Sequence, residues 1–271
     1  MRPIPIGPAL AACILAALPC GAATEEVDLG APVEAPALPD GAELLRSVIR
    51  SLPVVPVTVK GQILARKRSG GLERSLNVAM RLDWHGRVPS AKYTIRDAFG
   101  ENLSGLNISW PEAGKPEFRY FKGDSLVGTP LENLYDVIEN TDISWADLSL
   151  AFLWWPGGRT VGAERIKGRF CYIVDLPAPP GAGAGYAGVR LWIDPQIHIL
   201  LQAEARDGAG RPVKLLEVKS FRKVGEVWVV QNLDVQSLPA RHKTTLRVRE
   251  AEYPGSENGK PKRAPAPVPP A

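Results

Sequence analysis

The sequence predicts a mainly β (α+β) fold, in which an antiparallel sheet of about eleven strands follows one helix and is interrupted by two more. Apolar and polar residues alternate with a period of two along most of the chain, and Gly, Pro or Asp residues separate consecutive runs. Hydrophobic residues make up 45% of the chain and charged residues 23%, so the chain can form an apolar core. A sheet with this many strands is expected to curl.

The folded part is expected to open with a helix after Asp40. Asp40 and Glu43 fit a capping box, in which each side chain bonds to the backbone N–H of the other residue, and Pro53 ends the pattern. Between them, apolar residues recur at helical spacing: Leu44, Leu45, Val48, Ile49 and Leu52.

Five predicted strands lie in the first half of the chain and six in the second. VTVKGQILA (57–65) and LNVAMRLD (76–83) flank Gly70-Gly71 and predict a hairpin. The remaining strands are AKYTIRDAF, GLNISW, EFRYFKG, GRFCYIVDL, GVRLWIDP, HILLQAEARD, PVKLLEVKSFRKV, EVWVVQNLDVQS and TTLRVREAEY.

Two helices are expected between the two groups of strands. TPLENLYDVIEN (129–140) has Thr129 as its cap and Pro130 at the first helical position. DISWADLSLAFLWWPGG (142–158) has a capping box at Ser144 and Asp147, and Pro-Gly-Gly ends it. The sequence therefore predicts three helical turns that stop before residue 156.

This second helix is apolar on two nearly opposite arcs. One arc holds Trp145, Leu148, Phe152 and Trp155, and the other holds Ala146, Leu150, Leu153 and Trp154. A helix that is apolar on both sides is buried on both sides, so one side can pack on the sheet and the other needs a second partner. That partner can be another helix, as in an ordinary core, or a ligand in an apolar cavity.

The chain ends are expected to lie outside the fold. Residues 1–23 have one cation, a short apolar run and small residues before acids, which is the layout of a secretory signal peptide. Residues 24–39 predict a flexible lead-in and 254–271 a disordered Pro-rich tail, which leaves 40–253 as the folded domain. Export to the periplasm is expected, and lipidation at Cys13 or Cys20 stays open.

The sequence carries no catalytic signature or metal-ligand spacing, so no enzyme and no cofactor are expected. Asp194 and Asp207 fall at predicted turns and Asp234 on a strand, where structural roles are favoured over acid–base chemistry. Cys171 lies in a predicted strand and is expected to be a small buried residue. The net charge of +4 is spread along the chain without a basic stripe, which argues against nucleic acid.

Four segments of the second half carry a family resemblance: WADLSLAFLWWP, GRFCYIVDLPAP, YAGVRLWIDPQIHILLQAEARDGAGRPVKLLEVKSFRKVGEVWVV and KTTLRVRE. In order and spacing, over about residues 140–250, they resemble the outer-membrane lipoprotein-sorting, LolA-like family, with its LolA/LolB/RseB type of fold. The resemblance implies an incomplete β-barrel with helices capping its concave face and an apolar interior that holds acyl chains. It implies a non-catalytic carrier or receptor for lipids or lipoproteins in the periplasm or at the outer membrane.

The resemblance also implies where ligand would bind. It places the helix from Trp145 to Trp155 among the lid elements of the cavity. Together with aromatic residues on the strands, the candidate lipid-binding residues are Trp145, Leu148, Phe152, Trp154, Trp155, Tyr172 and Trp228.

The protein is expected to be a monomer that binds acyl chains of lipids or lipoproteins. An envelope transporter or receptor is expected as a further partner. The alternative is an RseB-like envelope sensor that docks on a protein through an open strand edge or through Trp192. Alternation places Trp192 on the face of its strand that points away from the main apolar face.

Overall fold

The computed structural model describes residues 37–111, 116–131, 133–180, 185–224 and 227–252, and for 222–224 and 227–228 it describes the backbone alone. The expected signal peptide, most of the lead-in and the tail at 254–271 lie outside the described residues. Within the described ranges, no helix is both long and apolar enough to cross a membrane.

Within the described residues, thirteen strands form one antiparallel sheet that stays open. Their bounds are β1 Val57–Arg66, β2 Leu72–Asp83, β3 Ser90–Arg96, β4 Asn102–Ser109, β5 Glu117–Lys122, β6 Thr129–Pro130, β7 Arg159–Ile166, β8 Arg169–Pro177, β9 Gly188–Asp194, β10 Ile199–Arg206, β11 Pro212–Val224, β12 Val227–Ser237 and β13 His242–Glu252. Their order is β6-β5-β4-β3-β2-β1-β13-β12-β11-β10-β9-β8-β7. The first strand, β1, therefore pairs with the last strand, β13, in the middle of the sheet. The expected mainly β, incomplete antiparallel barrel is confirmed.

The sheet has two strands more than expected. The first, β6, is only two residues long and pairs with β5. The second, β7, follows Pro156-Gly157-Gly158 and contains a bulge between Thr160 and Gly162, which interrupts the alternation that would have marked it as a strand. These two strands are the edges of the sheet.

One face of the sheet, which we call the covered face, carries the main core. Alternate residues of each long strand point into it, as the period-2 runs predict. On β1 and β2 the buried residues include Val57, Val59, Ile63, Leu76, Val78 and Met80. The corresponding residues of the second half include Val174, Leu176, Leu191, Ile193, Leu216, Val218, Val235 and Leu246.

The first helix, α1 (Gly41–Arg50), packs on this core through Leu44, Leu45 and Val48. Asp40 caps it by accepting a hydrogen bond from Ala42 N at 3.0 Å. The expected capping box is only half formed, because the Glu43 carboxylate bonds to Arg46 and Arg50 instead. These two cations lower the pKa of Glu43.

The predicted helix at 129–140 is wrong. Thr129 and Pro130 pair with β5 as β6, and a single 3₁₀ turn forms at Ile138–Asn140. Between them, the Asn133 side chain accepts a hydrogen bond from Tyr135 N at 3.0 Å. A local side-chain bond of this kind competes with helical hydrogen bonds, and here it favours a turn.

The opposite, outer face has a small apolar cluster of its own. Cys171, Trp192 and Leu201 are buried there, with partly buried neighbours Ile166, Ile173, Ile199 and Phe221. The Trp192 indole donates a hydrogen bond to Glu164. Alternation predicted this face for Trp192 correctly, but the side chain is only 6% exposed, so it is not available for docking a partner.

Candidate functional site

Residues 138–155, which we call the cap, lie over the covered face. The second helix, α2 (Trp145–Ser149), begins at the predicted capping box, in which Ser144 and Asp147 each bond to the other's backbone N–H. Leu150 then adopts a left-handed conformation (φ 50°), and a 3₁₀ turn follows at Ala151–Trp154. The predicted three-turn helix is therefore wrong beyond residue 149.

The break at Leu150 explains how residues from both apolar arcs are buried against the same face of the sheet. Trp145 and Phe152 come from one arc and Leu153 from the other, yet all three are 3% exposed and belong to the same core cluster. A continuous helix would point Phe152 and Leu153 about 100° apart. The kink turns the second half of the cap so that both arcs supply the covered face.

Polar contacts tie the cap to widely separated strands. The Ser104 hydroxyl on β4 donates to Glu139 Oε1 at 2.8 Å. On β13, Thr244 accepts from Asp142 N at 2.9 Å and donates to Asp142 Oδ2 at 2.8 Å. The cap thus bridges the first half of the sheet, from β4 to β13 at its middle.

The third contact is a buried ion pair. Lys214 Nζ on β11 lies 2.6 Å from Asp147 Oδ2 of α2, and the two side chains are 13% and 4% exposed. The Tyr186 hydroxyl donates to the other carboxylate oxygen of Asp147 at 3.0 Å. Burial and the Asp147 charge raise the pKa of Tyr186, so it stays a neutral donor.

Three tryptophans meet at the far end of the cap, and we call them the tryptophan cluster. Trp154 of the cap stacks on Trp84 and Trp110, with ring centroids 5.4 and 4.9 Å apart, and Trp84 lies 5.3 Å from Trp110. All three are only half buried. Trp84 follows β2 and Trp110 follows β4, so both stand at the same end of the sheet.

The two ends of the covered face differ in chemistry. The anchors Ser104, Lys214 and Thr244 stand near the opposite end of their strands from the tryptophan cluster. At the tryptophan end the side chains are apolar and partly buried against the core: Leu82, Trp84, Trp110, Phe118, Trp154, Trp155, Tyr172 and Phe221. The covered face is therefore fastened by polar contacts at one end and bounded by half-exposed aromatic rings at the other.

The structure brings together six of the seven predicted lipid-binding residues. Trp145, Leu148 and Phe152 are buried in the core cluster, and Trp154, Trp155 and Tyr172 pack against it half buried. Trp228 lies on β12, but its side chain is outside the described part of the structure. The assignment of these residues to lipid binding stays a prediction.

Sequence reasoning missed Trp84 and the polar anchors. Lys214 carried a usable signal, because it lies in phase with buried Leu216 and Val218 on β11 and must point to the same face. A lysine on an apolar face implies a buried acid as its partner. Trp84 lies in a loop, where no periodicity applies.

The predicted structural aspartates all have structural partners. Asp194 accepts from Gln196 N at 2.8 Å and bonds to Arg169. Asp207 accepts from Ala209 N at 2.9 Å, and Asp234 accepts from Thr245 at 2.6 Å.

Burial raises the pKa of the Cys171 thiol to about 11, which leaves it a poor nucleophile at neutral pH. Among the described residues, no three His, Cys, Asp or Glu side chains cluster as a metal site would require.

One family profile, described as "Uncharacterized protein", matches residues 131–256, which span the cap and the second half of the sheet. No curated protein matches the sequence.

Solved structures match the fold. A DUF1329 family protein from Desulfovibrio piger has a TM-score of 0.67 at 15% identity, with 79% of this chain and 91% of that chain covered. A domain named as an outer membrane lipoprotein-sorting protein, from Vibrio parahaemolyticus, has a TM-score of 0.63 at 12% identity, with 80% and 94% covered.

A LolA superfamily protein from Nitrosomonas europaea gives similar values: a TM-score of 0.62 at 14% identity, with 80% of this chain and 94% of that chain covered. At these identities a likeness establishes the architecture alone. The protein shares the open half-barrel architecture of these three solved structures.

Proposed function

We propose that the protein is a non-catalytic carrier or receptor, exported to the periplasm or outer membrane, that binds acyl chains of lipids or lipoproteins on the covered face. The observation that carries the proposal is the cap. It buries large apolar side chains on a curved sheet, yet it is built from short helical pieces fastened by a few side-chain contacts. Acyl chains would take the place of the cap's apolar side chains when it moves aside.

The backbone of the cap favours such a movement. Glu139, Asn140 and Leu150 all have left-handed conformations without being glycine. For Glu139 and Leu150 this costs about 1–2 kcal/mol each relative to ordinary helical geometry, whereas asparagine adopts the conformation more readily, so a displacement that relaxes Glu139 and Leu150 would release strain. The strain energy released would offset part of the free energy needed to break the polar anchors.

An acyl chain can supply the remaining free energy. Burial of one methylene contributes about 0.8 kcal/mol, so a chain of about a dozen carbons contributes roughly 10 kcal/mol. Loss of a hydrogen bond with solvation of its partners costs about 1 kcal/mol. Cap side chains such as Phe152 and Leu153 lose a comparable apolar contact when they leave the sheet, so the exchange is near balance only if the acyl chain covers them in turn.

The tryptophan cluster is the proposed point of entry. Its rings are half exposed, and Trp154 belongs to the cap while its two partners belong to the sheet. Separation of Trp154 from Trp84 and Trp110 would open the covered face at its apolar end. The polar anchors at the other end would then break, which frees the cap from the sheet.

The test measures displacement of a fluorescent fatty acid and the melting temperature on the same variants. Trp154→Ala and Trp155→Ala are the informative changes, because both side chains are half exposed and their loss leaves the buried core intact. We expect weakened fatty-acid binding with a small drop in melting temperature. Phe152 is less useful, because its truncation in the core is expected to cost about 3–5 kcal/mol of stability.

Leu201→Ala is the matched control. Leu201 is buried on β10 in the outer-face cluster, on the opposite side of the sheet from the covered face, so its truncation should lower the melting temperature strongly. Its fatty-acid affinity, measured well below the melting temperature, should stay near that of the parent protein. If affinity follows melting temperature in all three variants, or if the parent protein binds no fatty acid, the proposal is wrong.

A second candidate function is docking of a protein on the β7 edge. No described strand pairs with the outer edge of Arg159–Ile166, and an open edge can add a strand from a partner. The test is Val161→Pro, which removes a backbone donor from this strand. Loss of a captured partner together with retained fatty-acid binding would favour this candidate.

A further inference from the structure

A row of hairpin turns lies at the end of the sheet opposite the tryptophan cluster, and we call it the hairpin end. It contains the β1–β2, β3–β4 and β5–β6 turns, because every second turn of an antiparallel meander falls at the same end. The β12–β13 turn lies next to them, since β13 pairs with β1. Neighbouring turns are two strand spacings apart, about 10 Å.

Large apolar side chains stand in the open at this end. Phe99 is 93% exposed, Leu126 is 96% exposed and Val127 is 76% exposed, and Leu72 beside them is 55% exposed. Single exposed apolar residues are ordinary on a protein surface. Here they sit on three successive turns, which is typical of an interaction surface.

The turn at 97–101 does not require Phe99. The turns at 67–71, 97–101 and 207–211 have the same design: the first residue's N–H bonds to the fifth residue's carbonyl at 2.9, 3.0 and 2.9 Å, and the fourth residue is a glycine with positive φ. The third positions are Ser69, Phe99 and Ala209. Since serine and alanine serve the same turn, the turn geometry does not account for the exposed phenylalanine.

The charge around these tips is mainly positive. The segments 66–74, 96–102, 122–128 and 237–243 carry eight lysines and arginines and four acids. One of the acids, Asp97, is occupied by accepting from Phe99 N and Glu101 N at 2.9 Å. Lys67, Arg68 and Arg241 are exposed beside the apolar tips.

We propose that the hairpin end docks the protein on an anionic lipid bilayer, with Phe99 and Leu126 entering the interface and the basic side chains meeting lipid phosphates. A bilayer accepts separate apolar tips at any spacing, whereas a protein partner needs a matched pocket for each tip. Basic residues beside the tips add attraction to anionic headgroups. This surface is distinct from the covered face and does not depend on the proposed acyl-chain binding.

The test is flotation of the purified protein with vesicles of phosphatidylcholine, with or without about one third phosphatidylglycerol. We expect binding to the anionic vesicles that falls at least about tenfold in Phe99→Ala/Leu126→Ala, because two apolar side chains no longer enter the interface. Lys67→Gln/Arg68→Gln should weaken binding about fivefold per charge removed. Val54→Ala is the matched control, since Val54 is 71% exposed at the tryptophan end.

A variant that transfers the phenylalanine to a neighbouring turn tests whether vesicle binding can be restored. Ser69→Phe places a phenylalanine at the equivalent position of the neighbouring turn, so Ser69→Phe/Phe99→Ala should restore binding lost in Phe99→Ala. The displacement assay with fluorescent fatty acid should be unchanged in Phe99→Ala/Leu126→Ala, which separates this proposal from the proposed function. Equal binding to both vesicle types, or unchanged binding of that variant, would overturn it. Loss of a protein partner with vesicle binding intact would overturn it in favour of a protein-docking surface.

Discussion

Lys214 and Asp147 form a buried ion pair that joins β11 to the cap, with 2.6 Å between Nζ and Oδ2. The carboxylate also accepts hydrogen bonds from Ser144 N, Ser144 Oγ and the Tyr186 hydroxyl. A charge with this little exposure is tolerated because both of its oxygens are satisfied. The pair is therefore one of the contacts that hold the cap on the sheet.

Lys214→Met is expected to destabilise the protein by about 3–5 kcal/mol, because it leaves the Asp147 charge buried without its partner. The measurement is the urea unfolding midpoint. Lys214→Met/Asp147→Asn is the matched variant, since the amide keeps the size of the side chain and removes the stranded charge. The double variant should be more stable than Lys214→Met alone, and if it is less stable the ion pair is not the dominant contact.

The strands could be predicted from the sequence because each has one face on the core, and alternation along the chain records that face directly. Ile63 and Val78 lie on the apolar faces of the alternating runs VTVKGQILA and LNVAMRLD, and both are buried. The break at Leu150 could not be predicted, because both apolar arcs of a straight helix satisfy the local pattern. Only the folded chain, with left-handed Leu150, buries Phe152 and Leu153 in the same core cluster.

The candidate site was likewise predicted only where its residues are neighbours in the chain. The sequence identified the aromatic and aliphatic residues of the cap, since they lie in one continuous segment. It did not pair Trp154 with Trp84 and Trp110, because rings from three distant segments meet only after β2 and β4 have paired with β3. Contacts of this range leave no local pattern in the chain.

A disulfide between the cap and β13 should block fatty-acid uptake. Asp142 and Thr244 already share two hydrogen bonds, so their side chains are in contact. In protein lacking residues 1–23, Asp142→Cys/Thr244→Cys should lose fatty-acid binding when oxidised and regain it in dithiothreitol. The native thiol should not interfere, since Cys171 is fully buried and its pKa is raised to about 11. Uptake by the oxidised, crosslinked protein would show that the cap does not need to leave this strand.

Gly41→Ala should destabilise the junction between α1 and the start of β7. A β-carbon at Gly41 would lie 2.7 Å from the Gly158 carbonyl oxygen, and neither backbone can yield without moving the helix. We expect a loss of about 1–3 kcal/mol, as for other overpacked sites. Gly208→Ala is the control, because nothing lies within 4 Å of its added β-carbon. Thermal unfolding that ranks the two variants equally would contradict this account.

Stability should fall at alkaline pH partly through Tyr186. Burial and the nearby Asp147 charge raise the pKa of Tyr186 above the value of 10.0 that it has when unfolded. Above about pH 10 the unfolded chain therefore gives up the phenolic proton while the folded chain keeps it, and the free energy of unfolding falls by up to about 1.4 kcal/mol per pH unit. Below pH 10 both states are protonated, and this contribution is fully present.

Tyr186→Phe isolates this effect. The variant is expected to be less stable than the parent by about 1–3 kcal/mol near neutral pH, because Asp147 loses a buried donor. Above pH 10 its stability should fall less steeply than that of the parent, because the variant lacks one phenol whose pKa is raised by folding. Tyr93 and Tyr135, whose pKa values are also raised, titrate in both proteins and contribute equally to both slopes. Urea unfolding between pH 8 and pH 11 measures both slopes, and parallel curves would show that the Tyr186 proton is not linked to folding.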